Sequence, residues 1–222
     1  MDQVDKTLFD AAAAGDFALV TSSFAQGANL NVTNGENRTA LMRSAKRGHI
    51  DVVRFLLDNG AKVNLVDING KNALMGAAKK GYLDIVKLLV EANINLNQQD
   101  NSGRDSLIRA AFLGHSDVVK YLISKGALVN QQDNMGRTPL MEACIAYQAT
   151  VIDVLLGNGV DVNIKDMSGC TALMRAAYSG YKELIELLLA KDADKEIVDN
   201  EGNKAIHYVR EHNFQELKPL LK

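Results

Sequence analysis

Thr39–Asn64 reads TALMRSAKRGHIDVVRFLLDNGAKVN, and its recurrence decides the fold. A step of 33 residues carries Thr39 onto Asn72, Asp105, Thr138 and Thr171, and Leu41 onto Leu74, Leu107, Leu140 and Leu173. Asn64 lands on Asn97, Asn130 and Asn163 and, one step back, on Asn31. No insertion interrupts the count. A fixed period of this size predicts a stacked array, in which one supersecondary unit cannot bury its own apolar face and its neighbours cover it.

Five units open with Asp-x-x-Gly, the signature of a type I turn: Asp67–Gly70, Asp100–Gly103, Asp133–Gly136, Asp166–Gly169 and Asp199–Gly202. Two residues on stands a helix N-cap (Thr39, Asn72, Asp105, Thr138 or Thr171) whose side-chain oxygen can accept a backbone N–H; only Lys204 breaks the rule. Pro139 follows one of these caps, where a helix tolerates it. A short inner helix then ends at Gly48, Gly81, Gly114 or Gly180. The outer helix that follows carries a wide apolar face, Ile50, Val53 and Leu57 beside Val52 and Leu56, and stops at Gly60, Asn93, Gly126, Gly159 or Asp192. Inner helices carry small residues (Ala77-Ala78, Ala110-Ala111, Ala176-Ala177) and outer helices bulky ones. Such a stack is expected to curve, with the inner helices on its concave side.

These residues resemble the ankyrin repeat, whose pattern is D-x-x-G-x-T-P-L-H-x-A-A, a glycine, and a second helix ending L-L-x-x-G-A-x-x-N. Thr138-Pro139-Leu140 and Leu56-Leu57-Asp58-Asn59-Gly60-Ala61-Lys62-Val63-Asn64 match it closely, and the match runs over almost the whole chain. The resemblance implies an all-α, curved ankyrin-repeat solenoid of helix-turn-helix units joined by β-turn or hairpin loops. Residues 1–222 then form one domain: a capping unit at 1–33, five full repeats at 34–198 and a truncated cap at 199–222. Two departures stand out. The family's histidine after leucine is Met42, Met75, Ile108, Met141 and Met174, so apolar packing must replace its hydrogen bond; only His207 keeps it. The unit at Thr138 has Tyr147-Gln148 where Gly-His belongs, and a distorted inner turn is expected there. Its role as an interaction site competes with the blander reading of a tolerated loop change.

The ends are atypical, as a soluble stack requires. Residues 1–6 carry no turn signature, and Thr21, Ser22 and Ser23 make the helix at 17–24 more polar than later outer helices. Pro219 falls inside the last outer helix, which is expected to be short or to begin late.

Function classes narrow quickly. The 222 residues carry a net charge of −2, with no sequence-wide pull toward nucleic acid or anionic membrane. No stretch is apolar enough for a membrane span and no signal peptide is visible. The two cysteines make no disulfide framework: Cys144 falls on a small core position and Cys170 in a turn, so a cytoplasmic location is expected. No zinc spacing, phosphate loop or nucleophilic triad appears, and no cofactor is expected. His49 and His115 occupy the repeat's Gly-His frame and read as structural, since Tyr82 and Tyr181 replace them elsewhere.

Function must therefore lie in what the repeats do not share. The outward positions of successive inner helices are Arg43, Lys46, Arg47; Gly76, Lys79, Lys80; Arg109, Phe112, Leu113; Glu142, Ile145, Ala146; and Arg175, Tyr178, Ser179. The turn tips add Arg38, Lys71, Arg104 and Arg137, with Ile68, Met135 and Met167 beside them. Read in order, the face begins basic and becomes apolar around Phe112, Leu113, Ile145, Tyr147 and Tyr178. The lysines at helix ends also suit the helix dipole, a purely structural account of them. An exposed apolar patch rimmed by arginine has the composition of an interface core. The expected function is a non-catalytic, monomeric scaffold that binds a protein partner, an acidic segment with apolar anchors, through its concave face and turn tips. The alternative is a regulatory or recognition subunit of an enzyme or of a bacterial effector system; nucleic-acid binding is disfavoured by the acidic balance.

Overall fold

The computed structural model describes residues 2–222. Its α-helices, in chain order, are α1 (Gln3–Ala14), α2 (Phe17–Ala25), α3 (Ala40–Arg47), α4 (Ile50–Asp58), α5 (Ala73–Lys80), α6 (Leu83–Glu91), α7 (Ser106–Leu113), α8 (Ser116–Ser124), α9 (Pro139–Ile145), α10 (Ala149–Leu156), α11 (Ala172–Ser179), α12 (Lys182–Leu189) and α13 (Phe214–Leu221). Two short 3-10 helices, Ala205–Tyr208 and Glu211–Asn213, precede α13, and the described residues contain no strand. The chain falls into two compact units, Met1–Ser106 and Leu107–Lys222. In the first, α3 packs between α1 and α5; in the second, α11 packs between α9 and the first 3-10 helix.

Each turn is built as its residues dictate. Asp67 Oδ1 accepts the backbone N–H groups of Asn69 and Lys71 at 2.9 and 3.0 Å, and Gly70 N–H closes the turn on Asp67 O at 2.8 Å. The aspartate carboxylates at 100, 133, 166 and 199 repeat the arrangement, and Asn34 does the same with its amide oxygen. Neighbouring tips within a unit join through backbone bonds, Ile68 N–H to Glu36 O (3.0 Å) and Met167 N–H to Met135 O (3.0 Å). A second link comes from the asparagine that ends each repeat. Asn31, Asn64, Asn130 and Asn163 each accept, on Oδ1, the backbone N–H of the residue 31 positions ahead: Lys62, Asn95, Asp161 and Asp194. The aspartates and asparagines are therefore spent on backbone geometry.

Helix starts follow the caps. Thr39, Asn72, Thr138 and Thr171 each accept the N–H of the residue three ahead. The core is one leucine per inner helix (Leu41, Leu74, Leu107, Leu140, Leu173) against buried rows of the outer helices such as Val52, Val53 and Leu56, while Ile50 and Leu57 at the edges of that face are half-buried. At roughly 1.5–3 kcal/mol for each fully buried aliphatic side chain, this shared core dominates the stability of the stack. Met42, Met75, Ile108, Met141 and Met174 are buried too, so apolar packing does replace the histidine bond. Where histidine survives, Lys204 N–H donates to His207 Nδ1 at 3.0 Å.

Three local expectations need correcting. The helix with Pro219, α13, is neither short nor late: it has eight residues, like α12. Pro219 lies near its end and is exposed, as is Gln215, so the carbonyl four residues back that loses its donor is open to water. The truncation falls instead on the inner helix, reduced to the four residues Ala205–Tyr208. Glu142, placed outward by helical phase, is buried, because Arg137 reaches back from the turn and pairs with it at 3.3 Å. The inner turn at Tyr147 is altered less than expected: α9 ends one residue early, at Ile145, but the chain keeps its path. Tyr147 itself adopts the left-handed backbone (φ 51°), and Gln148 N–H bonds Ala143 O at 2.9 Å as His49 N–H bonds Ser44 O at 3.1 Å. At the N-terminus, where no turn signature stands, Asp2 caps a twelve-residue α1 by accepting Asp5 N–H.

Candidate partner-binding faces

In the first unit the outward positions of α3 and α5 are cationic. Lys46, Arg47, Lys79 and Lys80 are exposed, and Arg43 and Lys71 half-buried. Two of the arginines are engaged internally: the Arg43 guanidinium lies 5.1 Å from the Phe9 ring centre, and Arg47 Nη1 donates to Ala13 O at 2.6 Å, closing the end of α1. The lysines behave as a like-charged cluster. Partial burial, and then the charges of Arg38, Lys79, Lys71 and Lys80, hold the Lys46 amine below the usual lysine range. An anion placed here would relieve that repulsion. Arg38 is already committed, to Glu36 at 2.5 Å and to the buried Asp67 at 3.4 Å.

In the second unit the positions of Lys46 and Lys79 are taken by Phe112, Ile145 and Tyr178, and Leu113 and Tyr147 stand beside them. Phe112, Leu113, Ile145 and Tyr147 are between 38% and 39% exposed and Tyr178 is 54% exposed, against essentially full burial of the core leucines Leu41, Leu74, Leu107, Leu140 and Leu173. Gln148 Nε2 donates to Phe112 O at 3.1 Å, which ties the end of α7 to the turn after α9. Tyr147 stacks on Tyr181 with ring centres 3.6 Å apart and planes 17° from parallel. The face of Tyr178 is covered by the Arg210 guanidinium at 4.3 Å. The arginines expected to rim this patch turn inward: Arg137 pairs with buried Glu142, and Arg175 with buried Asp166. A guanidinium so held is a structural partner first, since leaving a buried carboxylate without its donor is costly. The turn tips add Met135 and Met167, 54% and 69% exposed. Arg104 and Arg109 are half-buried.

Helical phase located the exposed apolar residues correctly, but it missed the inward arginines and the Tyr147–Tyr181 pair. The signal for the first was an arginine two residues before Pro139 and five before Glu142. The second was hidden because Tyr181 sits a full repeat away from Tyr147.

The remaining chemistry is structural. His49 Nε2 lies 3.1 Å from Ala13 O, its ring packed over Gly15. Cys170 Sγ lies 3.0 Å from the Tyr208 hydroxyl, which donates to Asp199 Oδ2 at 2.5 Å. That bond, then those from Asn203 and Glu201, holds the Asp199 carboxyl far below the usual range, and burial and the same bond push the Tyr208 phenol up. Burial pushes the Cys144 thiol up to about 12. Among the described residues no group of three His, Cys, Asp or Glu is placed to hold a metal ion, and no helix is long and apolar enough to cross a membrane.

No curated protein matches the chain by sequence. Among solved structures, 658 chains match, so the likeness is to a fold family and singles out no partner. One is the crystal structure of the human ASB11 ankyrin repeat domain, 25% identical, with a TM-score of 0.87 over 96% of both chains. Repeats of this kind generally serve as protein–protein interaction modules. The family model for ankyrin repeats in three copies matches residues 8–100, 93–166 and 145–221, and together with the fold it places the chain in the ankyrin-repeat family.

Proposed function

We propose that the chain is a non-catalytic interaction module that holds a protein partner on the outward positions of its inner helices and on its turn tips. One observation carries this reading. Phe112, Leu113 and Ile145 are exposed at repeat positions where nothing in the fold requires an apolar residue, since Lys46, Arg47, Lys79 and Lys80 occupy them in the first unit, and Tyr147 is exposed where the other inner turns have a glycine. Exposed apolar side chains gathered on one face have the composition of an interface core. The lysines of the first unit suit an acidic stretch of the partner and its capture from solution. The chain acts in the reducing interior of a cell, as a monomer, and needs no cofactor.

The test is a displayed library of natural protein fragments panned against three proteins: wild type, Phe112→Ala/Leu113→Ala and Lys46→Glu/Lys80→Glu. Each double variant is expected to lose a subset of the clones that wild type retains. Recovery of the same clones by all three proteins would end the proposal.

A further inference from the structure

The lysines of the first unit differ from its arginines in what they hold. Arg38 is bound to Glu36 and to buried Asp67, Arg43 lies on the Phe9 ring, and Arg47 closes α1 on Ala13 O. Lys46, Lys79 and Lys80 are exposed on α3 and α5, and Lys71 is half-buried in the turn before α5. Gly76 brings Lys46 among the others. It stands in mid-helix where other inner helices carry Arg43, Arg109, Glu142 or Arg175, although glycine there weakens a helix. The bare backbone lets the Lys46 stem lie on it: a Cβ added at Gly76 would come 3.1 Å from Lys46 Cβ. After burial, the strongest influences on the Lys46 amine are Arg38, Lys79, Lys71 and Lys80, all cations that lower it.

The carboxylates of this unit are placed differently. Asp67, Asp100 and Asp105 are buried, Glu36 pairs with Arg38, and Asp84 pairs with Lys87. Asp51, Asp58 and Glu91 are exposed on the outer helices α4 and α6, and Asp10 is exposed on α1 at the Arg43 position one repeat earlier. None of them stands among the dominant charges at Lys46. A planar carboxylate is gripped best by a guanidinium fork, and the three arginines are engaged internally. Ammonium groups gathered from two helices and a turn suit a compact group of higher charge. A phosphate monoester has about −1.5 to −2 charges at pH 7 and three strong acceptor oxygens. A polyanion such as a nucleic acid or an anionic membrane would extend over Asp10 and Asp51 as well and gain less per charge.

Resting on the interaction reading above, we infer that Lys46, Lys71 and Lys80, with Lys79 beside them, seat one phosphate monoester, carried as phosphoserine or phosphothreonine on the partner segment that docks on the first unit. Phosphorylation of the partner then switches its capture.

The probe is a pair of bead-bound random peptide libraries that differ only at the central residue, phosphoserine in one and glutamate in the other. Wild type is expected to retain the phosphoserine beads in at least about tenfold excess. The protein has no tryptophan, so a retained phosphopeptide with an added tryptophan is titrated by its fluorescence. Lys46→Ala should bind it about tenfold more weakly, the worth of one charge-assisted hydrogen bond, and keep the wild-type melting temperature because the side chain is exposed. Followed by NMR, the Lys46 amine should titrate higher once the phosphopeptide is bound. Equal retention of the two libraries, unchanged affinity in Lys46→Ala, an unmoved Lys46 titration, or tighter binding of phosphatidylinositol bisphosphate vesicles or of a polynucleotide than of the phosphopeptide would each overturn the inference. The interaction reading survives any of these as long as the earlier panning retains fragments. Failure of wild type to retain any bead here and any fragment there would remove both.

Discussion

The repeats that start at Thr39 and at Thr138 use the same backbone for opposite surfaces. Both threonines accept the N–H of a methionine three residues on, at 3.2 and 3.3 Å, and both bury their leucine, Leu41 or Leu140. Beyond those positions they diverge. Arg43 covers Phe9, while its counterpart Glu142 is buried against Arg137. Lys46 becomes Ile145, and the glycine that turns the chain at 48 becomes Tyr147 at 147. The positions that hold the stack together and those that carry its surface chemistry are thus separate sets within each 33-residue period. A repeat changes the second set without touching the first, provided every displaced charge finds an internal counterpart.

The largest expected effects lie where the two repeats agree. Leu41→Ala and Leu140→Ala should each cost about 2–5 kcal/mol, with a difference between them smaller than either loss. Urea denaturation measures this, and a several-fold disparity would show that the repeats are not equivalent at the core. Where the repeats differ, Arg137→Ala should cost about 1–3 kcal/mol by removing a donor from buried Glu142. Arg43→Ala, on the corresponding face of the first unit, should cost about 0.5–1 kcal/mol, the worth of a cation on a ring.

A smaller effect separates the units by pH. Burial raises the Asp67 carboxyl, but the Lys71 and Asn69 N–H groups and Arg38 outweigh it, so the folded value lies below the ordinary one; Asp199 is depressed further, first by Tyr208. A depressed carboxyl gives stability that is fully present above the unfolded value, about pH 4, and lost as pH falls through the folded value. Stability is therefore expected to fall on acidification below about pH 4, and Tyr208→Phe should make that fall shallower. Denaturation midpoints from pH 6 down to pH 2 test this; an unchanged slope would remove Tyr208 from the account. The smallest effect is chemical. Cys144 and Cys170 are both buried, and Cys144 titrates only near 12. A thiol reagent at pH 8 should label neither in the folded protein and both after unfolding.

Most of the fold was legible because backbone demands recur in the same residue types. Aspartate at the turn, threonine at the cap and glycine at the helix end each satisfy a fixed geometry, and 33-fold spacing displays them together. The surface was half legible. Helical phase says where Phe112 and Ile145 point, but not where a long side chain from a neighbouring turn ends. Arg137 and Arg175 therefore read as rim cations although they serve buried carboxylates. Tyr147 read as a break in the turn because glycine is the ordinary solution there; here a tyrosine takes the same backbone, with the Tyr181 ring one repeat away lying nearly parallel to its own.

The asparagine bridges have a consequence for how this molecule can change length. Each joins its amide oxygen to a backbone N–H at a constant offset of 31 residues, so these four seams present the same plug and socket. Excising or duplicating one whole period returns an identical seam, whereas a cut of any other length leaves a polar group facing the wrong neighbour. The chain is in this sense divisible only in units of 33.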